Sequence, residues 1–324
     1  VNHNGDMGIA EKLIIEAAKS GADLIKFQSF ITEKMASKGA EKAAYQKAFS
    51  YAELDQFEML SKLELSREQH IHLLNKCNKQ GIGFFSSAFD LDSIEMLENL
   101  NFSQIVKVPS GELTNLPYLR KVALTKKKIL LSTGLCTLGD IESAINIIEG
   151  AGTPRNKVTI LQCTTEYPAA IEDVNLLAMF NMKATFGTQI GYSDHTLGIE
   201  VPLAAVALGA TVIEKHFTLN RSSLGPDHNA SLEPDEFATM VKAIRNIERA
   251  LGDGIKRPSE SELNNLFAVR KSIVALVNIK AGEVFSEKNL TTKRPGSGIS
   301  PMRWDQVLGQ RAFRDFAKDE LIEL

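Results

Sequence analysis

The sequence predicts an α/β protein: a parallel (β/α)8 barrel followed by a small β-rich domain. Three observations carry that expectation. Short apolar runs alternate with helix-patterned segments over most of the 324 residues. The runs show little in/out alternation, as expected of parallel strands covered on both faces. Polar residues collect at the C-terminal ends of the runs, where a barrel gathers its catalytic rim. An open doubly wound sheet is the alternative architecture.

The elements follow in order. A helical pattern over residues 9–20 precedes a strand over 24–28, and an irregular charged stretch spans roughly residues 31–52. Further strands are expected over 82–86, 105–108, 129–132, 158–163, 188–191 and 212–216, each followed by a helix. That makes seven, and an eighth must precede the first helix, so residues 1–4 are expected to be the tail of a strand that starts before Val1. A last barrel helix spans 234–251, which sets the barrel domain at residues 1–251. The polar run GDGIKRPSESE opens a linker over 252–269, and residues 270–324 carry β-like runs at 272–276 and 291–293 between Gly/Pro turns. A domain that small has a thin core and leans on another surface.

Composition narrows the function. Lys+Arg 37 against Asp+Glu 40 gives a net charge of −3, which argues against a large nucleic-acid surface. No apolar stretch approaches the ~20 residues of a membrane span. Cys77, Cys136 and Cys163 are widely spaced, without a CxxC, so neither a disulfide framework nor a zinc site is expected. No signal-peptide pattern is present, and the protein reads as cytoplasmic and soluble. Neither GxGxxG nor GxxxxGKS occurs, so dinucleotide and P-loop sites are not expected.

The strand ends supply the candidate site: Lys26, then Ser86 and Ser87, then Lys107 and Ser110, then Ser132, Thr164 and Thr165. Ser193 and His195 follow, then Glu214 and His216. His195 and His216 end neighbouring strands and could converge on one divalent ion, with oxygen ligands from substrate or water suiting Mn²⁺ or Mg²⁺. The alternative is structural imidazoles bonded to carbonyls. His3 stands near a strand end, and His70 and His72 on a polar helix read as solvated. Lys26 and Lys107, flanked by hydroxyls, could hold a phosphate and a carboxylate, or form structural salt bridges. Glu112 could act as acid or base, or oppose a helix dipole. Tyr167 could be a loop anchor or a sugar platform, and Asp227 could receive sugar hydroxyls or reach the metal through water. Cys136 and Cys163 read as small buried hydrophobes.

These residues fall in ordered blocks. They include Asn2-His3-Asn4-Gly5, Lys26-Phe27-Gln28, Lys107-Val108-Pro109-Ser110-Gly111-Glu112 and Leu131-Ser132-Thr133-Gly134. Cys163-Thr164-Thr165-Glu166-Tyr167-Pro168, Gly191-Tyr192-Ser193-Asp194-His195, Glu214-Lys215-His216-Phe217 and Gly225-Pro226-Asp227-His228 follow. The tail adds Arg270-Lys271-Ser272, Lys280-Ala281-Gly282-Glu283 and Lys293-Arg294-Pro295-Gly296. Together they resemble the bacterial sialic acid (nonulosonate) synthase family over nearly the full length, with its C-terminal antifreeze-like (SAF) domain.

The resemblance implies condensation of phosphoenolpyruvate with an N-acetylated amino sugar and water, releasing phosphate. The expected acceptor is N-acetylmannosamine, giving N-acetylneuraminate. The alternative is 2,4-diacetamido-2,4,6-trideoxymannose, giving N,N′-diacetyllegionaminate, and an inactive sugar-phosphate-binding barrel is more distant. It further implies that Lys26, Lys107, Ser110, Ser132, Thr165 and Ser193 bind phosphoenolpyruvate and that Glu112 is the acid/base group. His195 and His216 would ligate Mn²⁺ or Mg²⁺. Tyr167, Asp227 and Arg294 would contact the sugar, Arg294 from the tail domain of the other subunit in a domain-swapped homodimer.

Overall fold

The computed structural model describes residues 1–43, 46, 54–101 and 103–324. Part of the irregular stretch expected over 31–52 lies outside the described residues. Two compact units are present, Val1–Gly252 and Asp253–Leu324.

The first unit is a (β/α)8-like barrel of seven parallel strands in chain order: β1 (Leu24–Ser29), β2 (Gly83–Ala88), β3 (Ile105–Val108), β4 (Lys128–Ser132), β5 (Val158–Cys163), β6 (Gln189–Asp194) and β7 (Ile213–Lys215). Helices α1 (Met7–Lys19), α2 (Arg67–Gln80), α3 (Leu91–Leu100), α4 (Leu116–Leu124), α5 (Leu138–Gly150), α6 (Ala178–Phe186), α7 (Glu200–Ala207) and α8 (Pro234–Leu251) alternate with them. Local chemistry sets their ends. Ser66 and Gln69 form a capping box at the start of α2, and Gly81, at φ 70°, closes it in the left-handed conformation. Pro234 opens α8 at its first position, where a missing N–H costs nothing.

Strand register decides which side chains meet. Val106 pairs with Ile129, and Ile129 in turn with Val158. Successive residues face opposite sides, so Val108, Ile129 and Ile160 pack outward in a cluster with Leu119 and Ile145 of the helices. Phe85, Leu130 and Leu161 fill the barrel axis. One layer above them, the inward positions are polar, and these form the rim.

Residues 1–4 do not continue a strand. Asn4 N donates to the Val1 carbonyl at 2.9 Å, and Asn4 (φ 50°) with Gly5 (φ 77°) turns the chain away from extension. The Asn2 side chain instead donates to Phe217 O and Ser231 Oγ, at 2.9 and 2.8 Å. Among the described residues no strand pairs with the outer edges of β1 and β7. A cavity of about 370 Å³ lies between them, lined by Leu13, Leu24, Ile25, Val212, Ile213 and Met240.

His70 is not solvated. Its ring is fully buried, with Nδ1 2.8 Å from Ser66 O and Nε2 2.6 Å from Ser29 Oγ. Ser29 Oγ also meets Ser86 Oγ at 2.7 Å, so Ser86 faces α2 and leaves the rim. A polar helix hid an inward-facing histidine because its partners come from strands distant in sequence. His72 does reach the surface, beside Glu11. Cys163 is buried and Cys136 half-buried, and all three cysteines are free thiols.

In the second unit β8 (Ser272–Ala275) and β9 (Leu290–Lys293) pair antiparallel. Its core includes Ile273, Ile279, Phe285, Val307, Phe316 and Ile322. Short helices at Glu260–Leu263 and Leu266–Val269 stand where a linker was expected, the first capped by a Ser259–Glu262 box. Among the described residues no helix is long and apolar enough to cross a membrane.

Candidate active site

The C-terminal ends of β1–β7 surround a cavity of about 200 Å³. Lys26, Lys107, Ser110, Ser132, Thr165, Tyr167, Ser193, His195, His216 and Asp227 all line it, so one site collects these candidates from six strand ends and the loops beyond. Glu112 stands just outside. The cavity wall runs through Pro109, Ser110 and Gly111, and the Glu112 carboxylate accepts from Asn115 Nδ2 at 2.7 Å. Burial raises its pKa, against the Asn115 hydrogen bond. Arg294 belongs to the second unit, where its Nε donates to Val269 O at 3.0 Å.

Glu214 sits at the centre of the charge arrangement. Its Oε1 accepts from Lys26 Nζ at 2.9 Å and Ser193 Oγ at 3.0 Å, with Lys107 Nζ at 3.5 Å. Burial alone would raise the Glu214 pKa, but Lys107 and Lys26 outweigh it and hold the group ionised. Lys107 is pulled down to about 8, chiefly by burial, with Glu214 opposing. Around Glu214, two lysines thus share one carboxylate.

Unmet hydrogen-bonding capacity marks where a ligand belongs. Seven buried side-chain polar atoms lack a partner among the described residues, and four of them are on cavity-lining residues: Ser87 Oγ, Ser132 Oγ, Thr165 Oγ1 and Glu214 Oε2. A buried orphan costs about 1–3 kcal/mol, so four together signal a polar ligand. Gly134 lets this wall close up, since a Cβ there would stand 2.0 Å from Thr165 Oγ1. Its own N–H donates to Ser110 Oγ at 3.0 Å.

The histidines face each other, ring centroids 5.3 Å apart. His195 Nδ1 is 2.6 Å from the Thr164 carbonyl oxygen, which can only accept, so Nδ1 carries the proton and Nε2 is bare. Burial lowers His195 to about 4 and pushes His216 well below its usual value, so both are neutral. Asp227 Oδ2 lies 3.5 Å from His216 Nδ1, and Tyr167 stacks on His195 at 4.0 Å between centroids. Two neutral imidazoles suit one dication only if oxygens of substrate or water complete the shell, because no third His, Cys, Asp or Glu among the described residues joins them. With that condition the donor set fits Mn²⁺ or Mg²⁺.

Three features escaped the sequence reading. Ser87 and Glu214 were visible as strand-end polar residues without a role, although Glu214 lies two positions before His216 and must share its inward face. An apolar cluster of Met35, Met59, Leu60, Leu63 and Phe89 also lines the cavity. No periodic signal in the sequence identifies it, because it is assembled from loops and short helices.

The model of the NeuB family matches residues 13–256, and that of the SAF domain matches residues 270–323. The chain is 52% identical to an N,N'-diacetyllegionaminic acid synthase of Campylobacter jejuni, covering 99% of this chain and 96% of that protein. It is 44% identical to the enzyme of the same name from Legionella pneumophila, covering 96% and 88%. Among solved structures, an N-acetylneuraminic acid synthetase from Leptospira borgpetersenii superposes with a TM-score of 0.72 at 32% identity, covering 82% of this chain and 86% of that one. Barrel, rim chemistry and tail agree with these matches: the chain belongs to the NeuB family and carries a SAF domain behind its barrel.

Proposed function

We propose that this NeuB-family enzyme condenses phosphoenolpyruvate with 2,4-diacetamido-2,4,6-trideoxymannose and water, giving N,N′-diacetyllegionaminate and phosphate. The reaction class is supported above all by the four orphaned polar atoms beside Lys26 and Lys107. The order of acceptors expected from sequence is reversed. The two relatives named legionaminic acid synthases stand at 52% and 44% identity, against 32% for the neuraminic acid synthetase. The apolar cluster supports the same choice. A trideoxy sugar presents a C6 methyl where N-acetylmannosamine presents a hydroxyl, and an unpaired hydroxyl against Met59, Leu60 and Leu63 costs binding.

Lys26 and Lys107 neutralise the phosphate and carboxylate of phosphoenolpyruvate, while Ser87, Ser110, Ser132, Thr165 and Ser193 offer hydroxyls to their oxygens. C3 attacks the aldehyde carbon of the open-chain sugar, a carbon–carbon bond forms, and the aldehyde oxygen takes a proton to become a hydroxyl. Mn²⁺ or Mg²⁺ on His195 and His216 would polarise that aldehyde as a Lewis acid. C2 is left electron-poor, and the Glu214 carboxylate would balance the charge. Water adds at C2 with Glu112 taking its proton, and the C2–O bond to phosphate then breaks as the new hydroxyl passes its proton to the departing phosphate, leaving the ketone. Asp227 and Tyr167 orient the sugar. Arg294 reaches it from a partner subunit in a homodimer.

Phosphate release with phosphoenolpyruvate and each sugar in turn, read with the product mass, tests the proposal. Turnover of the diacetamido sugar at least tenfold above N-acetylmannosamine is expected. A preference for N-acetylmannosamine overturns the acceptor, and no phosphate with either overturns the reaction.

A further inference from the structure

On the outer face of the barrel, directly behind the two histidines, Asp194 and Lys215 form an ion pair with no solvent exposure of either side chain. They pair in register across β6 and β7, and each is the residue immediately before a candidate metal ligand, His195 and His216. Lys215 Nζ donates to Asp194 Oδ2 at 2.5 Å and also to the Thr196 carbonyl oxygen. Asp194 Oδ1 accepts from Thr196 N at 3.0 Å and Thr196 Oγ1 at 2.8 Å. The backbone of His195 is thus clasped on both sides by one buried carboxylate, and that carboxylate is tied to the strand that carries His216. The His195 carbonyl is itself held by Ala169 N at 2.9 Å.

Stability alone gives a poor reason for such a pair. Two charges removed from water recover little more than their desolvation cost, and apolar residues of similar volume commonly serve a fold as well. Geometry gives a better one. A two-nitrogen site has little redundancy, so a small shift of either strand end moves one donor out of reach of an ion held by the other. The ring centroids must stay near their 5.3 Å separation, and neighbouring parallel strands can slip or splay at their ends.

We propose that Asp194 and Lys215 are positioning residues that fix the separation of His195 and His216 for metal binding, an inference that rests on reading those histidines as metal ligands. The pair touches neither substrate nor metal and acts through the backbone of its neighbours.

The test is the double variant Asp194→Asn/Lys215→Met. Asn keeps an acceptor for Thr196, Met keeps most of the lysine's volume, and no charge is left buried and unpaired. Mn²⁺ binding is measured on the full chain from the free-ion electron paramagnetic resonance signal. Phosphoenolpyruvate binding is measured by calorimetry without metal, and folding by thermal denaturation. The expected result is a cooperatively folded double variant whose Mn²⁺ affinity falls 10–100-fold, within the range for lost outer-shell support, while phosphoenolpyruvate affinity changes less than about twofold. The single variant Lys215→Arg, which retains the cation in a different shape, should fall between. Mn²⁺ affinity equal to wild type in the folded double variant overturns the positioning role and leaves the metal reading intact. Failure of the double variant to fold also overturns it, because the pair then holds the barrel itself. Wild-type protein that takes up no Mn²⁺ removes the metal reading and the inference with it.

Discussion

Raising the pH from 7 to 9 should weaken phosphoenolpyruvate binding about tenfold, because a cation that receives the ligand is itself titrating. Lys107 has a pKa of about 8, set first by burial; Glu214 pulls it back up and Lys26 pushes it further down. The ammonium form therefore falls from about nine-tenths at pH 7 to about one-tenth at pH 9. A ligand that needs the ammonium loses affinity in the same proportion, about 1.4 kcal/mol. Phosphoenolpyruvate's phosphate, with a second pKa near 6, is already largely doubly ionised at pH 7 and contributes little to the change. Its negative charge beside Lys107 raises the lysine's pKa in the complex, so binding above pH 8 takes up a proton, approaching one per ligand. Calorimetric titrations at pH 7, 8 and 9, each in two buffers of different ionisation enthalpy, read both quantities. Lys107→Arg is the control: a guanidinium stays charged throughout, so its affinity, whatever its starting level, should not vary over this range. Wild-type affinity that is flat from pH 7 to 9, with no proton uptake, refutes the reasoning.

Glu112→Gln should lower kcat roughly 10²-fold with phosphoenolpyruvate binding largely kept; an unchanged kcat moves Glu112 to a purely local role with Asn115. His195→Ala or His216→Ala should abolish turnover without loss of the cooperative thermal transition, and excess chelator should do the same to wild type until Mn²⁺ or Mg²⁺ is restored. Full activity in chelator removes the metal from the mechanism. Co-expressed Glu112→Gln and Arg294→Ala chains should recover about a quarter of wild-type activity, since half the dimers are mixed and one site in each is intact. No recovery, with mixed dimers confirmed by tagged pull-down, excludes a site shared between subunits.

The barrel was legible because its signal is local and repeated. Buried parallel strands are short apolar runs, and each ends in polar residues on the same side of the sheet. His195 and His216 were legible for the same reason, as the final residues of adjacent runs. Ser86 and His70 were misread because face, not position along the strand, decides the role. Ser86 differs from Ser87 by one residue, and that residue turns it from the cavity to the helix layer, where it meets Ser29 Oγ, itself bonded to His70. The wall of Met59, Leu60 and Leu63 could not be read at all, since apolar residues near a rim look the same whether they pack against protein or against a substrate methyl.

Glu214 shows how parity and charge together recover what a list of strand ends does not. Register pairs it with Ser193, and the two-residue period puts it on the same face as His216. A carboxylate on that face cannot stay buried without cations, so its position alone demands that Lys26 and Lys107 converge on it. The free site is then held together by an ion-pair cluster that substrate must enter and rearrange. Burial, with Glu214 opposing it and Lys26 adding to it, holds Lys107 near pKa 8 in the free protein. Its ammonium is only partly paid for by one carboxylate shared with Lys26, and the remaining stabilisation waits for an anion. A site built this way favours anionic over neutral ligands around Lys26 and Lys107.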